Sequence, residues 1–213
     1  RPNVGTSPLP NAITGETVSC TSDKPQTTRA QVRGVLPRPD AQVVFVDTPG
    51  VHKPRTLLGE RLNQRAAETF GDVDVTCLVV DATAPIGPGD RFVASAVGPD
   101  AIVGGNRCDR AEPATVLAQL ARAQAELDLD AYVPVSARTG DGVPELIELI
   151  IERLPEGPRY YPEDMVRDVP EPEWVAELVR EQLLAVVRDE LPHAVATRVT
   201  EWEWPRIRCE ILV

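Results

Sequence analysis

The sequence predicts an α/β domain with a mainly parallel sheet, followed by a smaller α+β region. Val75–Asp81 is an unbroken apolar run of the kind buried on both faces of a parallel sheet. Strand and helix patterns alternate as far as Leu154, which favours parallel pairing. Residues 155–172 are rich in Pro, Glu and Tyr and lack periodicity. We therefore expect a first domain over residues 1–154, a linker over 155–172 and an incomplete second unit over 173–213.

Composition, net charge and cysteine spacing exclude several classes of protein for this chain. The 213 residues are 42% apolar and 26% charged, which is typical of a globular chain, and no apolar run reaches membrane-spanning length. The formal net charge of −11 excludes a protein whose whole surface binds nucleic acid, so an RNA contact would need a local patch. Four widely spaced cysteines favour neither a zinc site nor a disulfide framework, and we expect reduced thiols in a cytoplasm.

The first half of the chain alternates loops and short elements. Ser7–Leu9 can begin a helix, because Pro is tolerated in a first turn whose N–H groups lack intrahelical partners. The other elements expected here are a mobile loop over Thr17–Arg33, strands over Val32–Leu36 and Gln42–Asp47 joined by a turn at Arg38–Asp40, and a helix over Leu57–Phe70.

The second half follows the same reasoning. A strand over Ala101–Asn106 contains Gly104-Gly105, which we expect to weaken it, and a helix over Ala114–Leu127 carries Leu117, Leu120 and Leu127 on one face. The remaining expected elements are a strand over Ala131–Val135, helices over Pro144–Leu154 and Trp174–Leu191, and strands over Ala194–Trp202 and Arg206–Val213.

Asp47-Thr48-Pro49-Gly50 is a candidate metal and phosphate site, because a strand ends in a carboxylate followed by a glycine. Asp47 is expected near Mg²⁺ through water, and the N–H of Gly50 near a terminal phosphate. The alternative is a strand-to-loop turn that the Pro-Gly pair terminates.

Asn106-Arg107-Cys108-Asp109 ends one predicted strand, and Ser136-Ala137 follows the next. A carboxylate at Asp109 can accept two hydrogen bonds from the ring N–H and amino group of guanine, which adenine does not supply. The N–H of Ala137 would then face the guanine carbonyl. An isolated Asn-x-x-Asp is more often a turn, but after Asp47–Gly50 and before Ser136-Ala137 a guanine pocket is favoured.

Together these motifs resemble the bacterial Era family, GTPases of small ribosomal subunit assembly, over nearly the whole chain. The residues that carry the resemblance are Arg1–Gly5, Ser22–Arg29, Asp47–Pro54, Gly87–Arg91, Asn106 with Asp109, Val135–Ala137 and Glu190–His193.

The resemblance implies a Ras-like P-loop GTPase domain with a mainly parallel sheet and then a partial KH domain that binds RNA. It implies GTP or GDP and Mg²⁺ as cofactors, with K⁺ at Asn3 as a further candidate. Val51 stands where Ras-type enzymes have a catalytic Gln. The implied residues are Thr27, Thr28 and Gly50 for catalysis, Ser7, Thr28 and Asp47 for metal, and Asn3, Gly5, Thr6, Ser7, Asp47, Gly50, Asn106, Arg107, Asp109, Ser136 and Ala137 for nucleotide.

Three residues depart from the family pattern. Thr6 replaces the Lys that neutralises the terminal phosphates, and loss of a buried charge partner costs roughly 2–5 kcal/mol. Pro8 removes an N–H that would point at a phosphate, and Arg107 replaces a Lys beside the base. A pseudo-GTPase that acts as a binding or scaffold protein is therefore the alternative to an active GTPase. A family member recruited to other chemistry is a third hypothesis.

The ends of the chain and its partners also carry expectations. A phosphate loop normally follows a strand, so we expect the whole molecule to have residues before Arg1. The Gly-x-x-Gly loop of a KH domain would follow Val213. We expect a cytoplasmic monomer that binds the small ribosomal subunit and its rRNA if the KH domain is complete, and peripheral membrane association is left open.

Overall fold

The computed structural model describes residues 4–21, 32–48, 64, 66, 68–187 and 195–212. Residues 64, 66 and 68–72 are helical, within the expected helix over Leu57–Phe70 and two residues past it. The helices with defined ends are α1 Pro8–Thr14, α2 Pro88–Ala94, α3 Pro113–Leu127, α4 Val143–Ile151 and α5 Glu171–Val186. The strands are β1 Val32–Pro37, β2 Gln42–Asp47, β3 Cys77–Asp81, β4 Ile102–Asn106, β5 Ala131–Pro134, β6 Ala196–Glu203 and β7 Arg206–Leu212.

Strands β3, β4 and β5 form a parallel sheet with β4 in the centre. All five residues of β4 are buried, as a strand covered on both faces requires. The weakening of this strand by Gly104 and Gly105 stays a prediction, and both glycines lie in the continuous ladder to β3 and β5. A Cβ on Gly105 would lie 2.6 Å from Leu120 Cδ2, so the missing side chain makes room for helix α3.

Strands β1 and β2 form an antiparallel hairpin with the expected bounds, except that β1 extends to Pro37. The turn closes where the Arg38–Asp40 turn was expected, with Arg38 N–H donating to the Ala41 carbonyl over 2.9 Å. The hairpin and the parallel sheet share one hydrophobic core, whose buried members are Val4, Leu9, Ile13, Val43, Val79, Ile102, Val133, Val135, Val143, Leu146, Ile147 and Ile150.

Helix α3 buries Leu120 and partly buries Leu127 as expected, but Leu117 lies outside the buried face. Leu117 is 63% exposed, whereas Val116, Leu120 and Ala123 are buried at spacings of four and three residues. The small side chain of Ala123 packs closely, and the longer Leu117 remains in solvent.

The expected linker is bonded to the hairpin. Val35 N–H donates to the Val166 carbonyl and Asp168 N–H donates to the Arg33 carbonyl, both over 2.9 Å. The Gln42 amide donates to the Tyr161 carbonyl over 2.8 Å. The bonds of Val35 and Arg33 cover the edge of β1 that faces away from β2, which would otherwise present backbone groups for pairing with another chain.

The last unit packs helix α5 against the β6–β7 hairpin, and Thr197 Oγ1 donates to the Ala176 carbonyl over 2.7 Å. The helix begins at Glu171, three residues before the expected start. It ends at Val186 rather than Leu191, because Val187 has extended dihedrals of φ −75° and ψ 151°. Within the described ranges, no helix has the length and apolar character needed to cross a bilayer.

Candidate functional site

The carboxyl ends of β3 and β4 meet the segment that follows β5, as in other open parallel sheets that bind ligands at this edge. Ala82 N–H donates to the Asn106 carbonyl over 2.9 Å, and Cys108 N–H donates to the Val135 carbonyl over 3.1 Å. These bonds bring the Asn106–Asp109 and Ser136–Ala137 motifs together, as their positions at the strand ends predict.

The Asn106 side chain ties three segments together. Its Nδ2 donates to the Val4 carbonyl over 2.9 Å, and its Oδ1 accepts from Arg107 N over 2.8 Å and from Ala137 N over 3.0 Å. The side chain is almost fully buried, so these bonds are protected from water. Asn106 thus positions the loops around it. A base carbonyl would have to share the Ala137 N–H with Asn106.

Asp109 presents a carboxylate in the one-turn 3₁₀ helix Cys108–Arg110. Its Oδ1 accepts from Ser136 Oγ over 2.6 Å, and its Oδ2 accepts from Arg138 Nε over 2.9 Å and Arg138 Nη2 over 2.6 Å. The hydrogen bonds from Ser136 and then Arg138 lower the pKa of Asp109. The group is therefore an ionised acceptor at neutral pH. Arg138 was not among the site residues expected from the sequence.

Arg107 is held with a left-handed backbone at φ 69°, and its Nη1 donates to Asp81 Oδ2 over 2.7 Å. The other oxygen of Asp81 accepts from the N–H and hydroxyl of Thr83. Burial opposes ionisation of Asp81, but the hydrogen bonds from Thr83 and Arg107 outweigh it and lower the pKa. The cation that replaces the family's Lys is thus paired with a carboxylate at the end of β3.

The start of the chain passes close to Asn106. Gly5 has φ +88°, and a Cβ there would lie 2.3 Å from Asn106 Nδ2, so only glycine fits this approach. Ser7 is buried at the N-cap of α1, and Pro8 is its first residue, as expected. Thr6 is half-buried and its carbonyl accepts from Leu9 N–H over 3.3 Å.

Asp47 ends β2 and is buried, and its Oδ2 accepts from Ser19 Oγ over 2.6 Å. Asn11 fixes Ser19 by accepting from the N–H groups of Val18 and Ser19 and donating to the Ser19 carbonyl. The expectation of a mobile loop from Thr17 was wrong for this part, because residues 18–20 are buried. An Asn in the middle of α1, where short polar side chains are unfavourable, was the available signal.

The donor set suits a magnesium nucleotide better than an all-protein metal site. Within the described ranges, no cluster of three His, Cys, Asp or Glu side chains could hold a metal. Mg²⁺ usually takes one or two carboxylates together with substrate phosphates, and Asp47 and the Ser7 hydroxyl are oxygen donors of that kind. Asn3, Thr27, Thr28, Gly50 and Val51 lie outside the described residues.

Comparison with known proteins decides the family. A family model described as a 50S ribosome-binding GTPase matches residues 1–104. GTPase Era of a Nocardioides species is 46% identical over 210 residues, which cover 94% of this chain and 67% of that protein. This chain belongs to the Era GTPase family. Its Ras-like domain with a parallel sheet confirms the fold class expected from the sequence.

Two solved Era structures share the fold over most of the chain. A variant of Aquifex aeolicus Era bound to GDP·AlF4⁻ matches with a TM-score of 0.89 at 34% identity. Era in complex with MgGDPNP and nucleotides 1506–1542 of 16S ribosomal RNA matches with a TM-score of 0.88 at 36% identity. In both cases the match covers 94% of this chain and 70% of the other.

Proposed function

We propose that this Era-family chain binds guanine nucleotides through the Asp109 carboxylate. The observation that supports this most directly is the hydrogen bond from Ser136 to Asp109, which fixes an ionised acceptor at the carboxyl end of the parallel sheet. Two acceptor oxygens in one plane suit the two adjacent N–H donors of guanine. The Era relative with MgGDPNP binds a nucleotide of this class.

The proposed binding site for the phosphates is the segment around Gly5, which passes close to Asn106. The buried Ser7 and Asp47 are the proposed oxygen donors for Mg²⁺. Thr6 supplies no positive charge and Pro8 supplies no N–H. Affinity should therefore depend more on the base, and less on the phosphates, than in a loop with Lys at this position.

Hydrolysis of GTP is proposed from the same family membership. Thr27, Thr28 and Gly50 are the proposed switch residues, with Asn3 as the proposed K⁺ ligand. Phosphate release should be faster in K⁺ than in Na⁺ at equal ionic strength. A rate that is equal in the two salts would contradict the role of Asn3.

Titration with fluorescent GDP and GTP in Mg²⁺ and K⁺ tests the proposal. Asp109→Asn should weaken GDP binding roughly 10- to 100-fold, because a charged hydrogen-bond acceptor is lost. Xanthosine diphosphate should gain affinity in the same variant, since the Asn amide can donate to its second carbonyl. Asp100→Asn, at an exposed loop position, is the matched control and should bind like the wild type.

Binding to the 3′ region of 16S rRNA during small-subunit assembly is proposed for a complete KH domain, of which α5, β6 and β7 form the first part. Its support is the Era structure with an RNA segment. Gel-shift titration of that segment with the chain, at two salt concentrations, tests this role.

A pseudo-GTPase scaffold is the second candidate, and Thr6 with Pro8 is the observation that favours it. Absence of GDP and GTP binding at millimolar nucleotide would contradict the first candidate. Micromolar binding with measurable phosphate release would exclude it.

A further inference from the structure

The guanidinium of Arg138 is hydrogen-bonded to the Asp109 carboxylate, the group proposed to bind the guanine base. Both Nε and Nη2 of Arg138 donate to Asp109 Oδ2, over 2.9 and 2.6 Å. Ser136 Oγ donates to Oδ1 over 2.6 Å. A carboxylate offers about four acceptor positions, so these three donors leave about one.

The guanidinium edge resembles the edge of guanine that Asp109 would read. Each presents two adjacent N–H groups that point in nearly the same direction, which is the pattern that a carboxylate accepts best. Guanine needs two acceptor positions, one for its ring N–H and one for its amino group. Arg138 and guanine therefore cannot both make their full set of bonds to Asp109.

We propose that Arg138 is a specificity-determining residue that competes with the base for the Asp109 carboxylate. The inference rests on the proposed guanine-nucleotide function. The Arg138 side chain is 69% exposed, whereas that of Asp109 is 8% exposed. The arginine side chain can therefore move into solvent while the carboxylate stays in place. The free energy needed to break their ion pair then weakens binding of the base.

Competition with Arg138 for the Asp109 carboxylate should weaken binding of guanine more than binding of hypoxanthine. Hypoxanthine has the ring N–H of guanine but no amino group, so it needs one acceptor position and leaves Oδ2 to Arg138. Guanine must displace Arg138 to place its amino group. Arg138 therefore reduces the preference of the site for guanine over hypoxanthine.

Equilibrium titration of the chain with GDP and with inosine diphosphate in Mg²⁺ tests this. Arg138→Ala should tighten GDP binding about two- to fivefold, the range that the strength of exposed ion pairs implies, and leave inosine diphosphate unchanged. Arg138→Lys keeps the charge but not the paired donors, so its GDP affinity should lie between those of the wild type and Arg138→Ala. The gain should shrink at high salt, because an exposed ion pair is screened.

Arg91→Ala is the matched control, since Arg91 is 51% exposed and donates to Glu126 over 2.6 Å far along the chain from the pocket. It should change neither affinity, and thermal unfolding of each variant checks that it is folded. If the wild type binds GDP and Arg138→Ala binds it equally or more weakly, the inference is overturned while the proposed function stands. An equal change for both nucleotides also overturns it. If neither protein binds either nucleotide at millimolar concentration, the proposed function and this inference both fail.

Discussion

Thr21 is hydrogen-bonded to Glu181 of helix α5, 160 residues further along the chain. Both the backbone N–H and the hydroxyl of Thr21 donate to Glu181 Oε1, over 2.7 and 2.9 Å. Two residues earlier, Ser19 donates to Asp47. The short segment 19–21 thus joins the proposed metal site to the first helix of the last unit.

Loss of this contact should expose Cys20, which lies between the two anchors and is 8% exposed. Burial, followed by the nearby Glu181 charge, raises the pKa of Cys20 to about 12, so its thiol should alkylate slowly at neutral pH. We expect Glu181→Ala to increase its labelling by iodoacetamide severalfold, measured by peptide mass spectrometry. Thr21→Val keeps the carboxylate and should increase labelling less. The exposed Gln182→Ala is the control, and labelling equal to wild type in all three variants would refute the prediction.

Gly5→Ala should be more destabilising than Gly15→Ala. Both glycines have positive φ, but a Cβ on Gly15 meets nothing within 4 Å, whereas one on Gly5 meets Asn106 Nδ2 at 2.3 Å. We expect about 1 kcal/mol for Gly15→Ala and about 2–4 kcal/mol for Gly5→Ala, in which the buried Asn106 bonds are also disturbed. Urea unfolding measures both. Equal destabilisation by the two substitutions would contradict this prediction, because it would mean that the backbone at Gly5 can shift away from Asn106 without a cost in free energy.

Thr6→Lys should restore affinity for the phosphates. A cation at this position would pair with the terminal phosphates, and we expect GTP to bind at least about tenfold more tightly. Thr115→Lys adds the same charge at an exposed position of α3 and is the control. Unchanged GTP affinity in Thr6→Lys would contradict this prediction.

Alanine at the two glycines of β4 should have opposite effects. A Cβ on Gly104 makes ordinary contacts of 3.7 Å or more, so Gly104→Ala should stabilise by about 0.5 kcal/mol through the unfolded chain. Gly105→Ala forces Leu120 to move and should cost about 1 kcal/mol. Chemical unfolding of each variant provides the measurement, and the cost of Gly105→Ala should become smaller when it is measured in a Leu120→Ala background. A stabilised Gly105→Ala would contradict the packing argument.

Asp81 should contribute to stability in a pH-dependent way. Its folded pKa lies below the ordinary value of about 3.9, so its contribution is complete above about pH 4 and is lost as pH falls through the folded pKa. The free energy of unfolding should therefore fall less on acidification in Asp81→Asn than in the wild type. Urea unfolding from pH 6 to pH 2 measures this, with Asp100→Asn as the control. Parallel curves for wild type and Asp81→Asn would contradict it.

Local patterns were sufficient to predict most elements. The β2 strand over Gln42–Asp47 has the expected bounds, and helices α3 and α4 begin one residue before the expected starts. These elements could be predicted because their signals lie in adjacent residues. The signals are an apolar run in the strand and a Pro at the start of each helix. Helix α5 begins three residues before its expected start, because Glu171 and Pro172 were assigned to the linker on composition although both suit a first turn.

The parts that could not be predicted depend on partners far along the chain. Nothing near Ser19 indicates that it donates to Asp47, and nothing near Arg138 indicates that it lies against Asp109. Gly105 was interpreted by its low strand propensity, whereas its effect is set by Leu120 on another element. The motif residues Asp109 and Ser136 were brought together as expected because both follow strands of one parallel sheet.

The bonds between residues 161–168 and the first hairpin limit how far the start of helix α5 can move. Asp168 is bonded to Arg33, and helix α5 begins at Glu171, which leaves Val169 and Pro170 between the two anchors. Two residues span at most about 7 Å, and Pro170 has a fixed φ. Moving the start of α5 further than this requires breaking the hydrogen bond between Asp168 and Arg33, and moving the helix as a whole also requires breaking the bonds from Thr21 to Glu181.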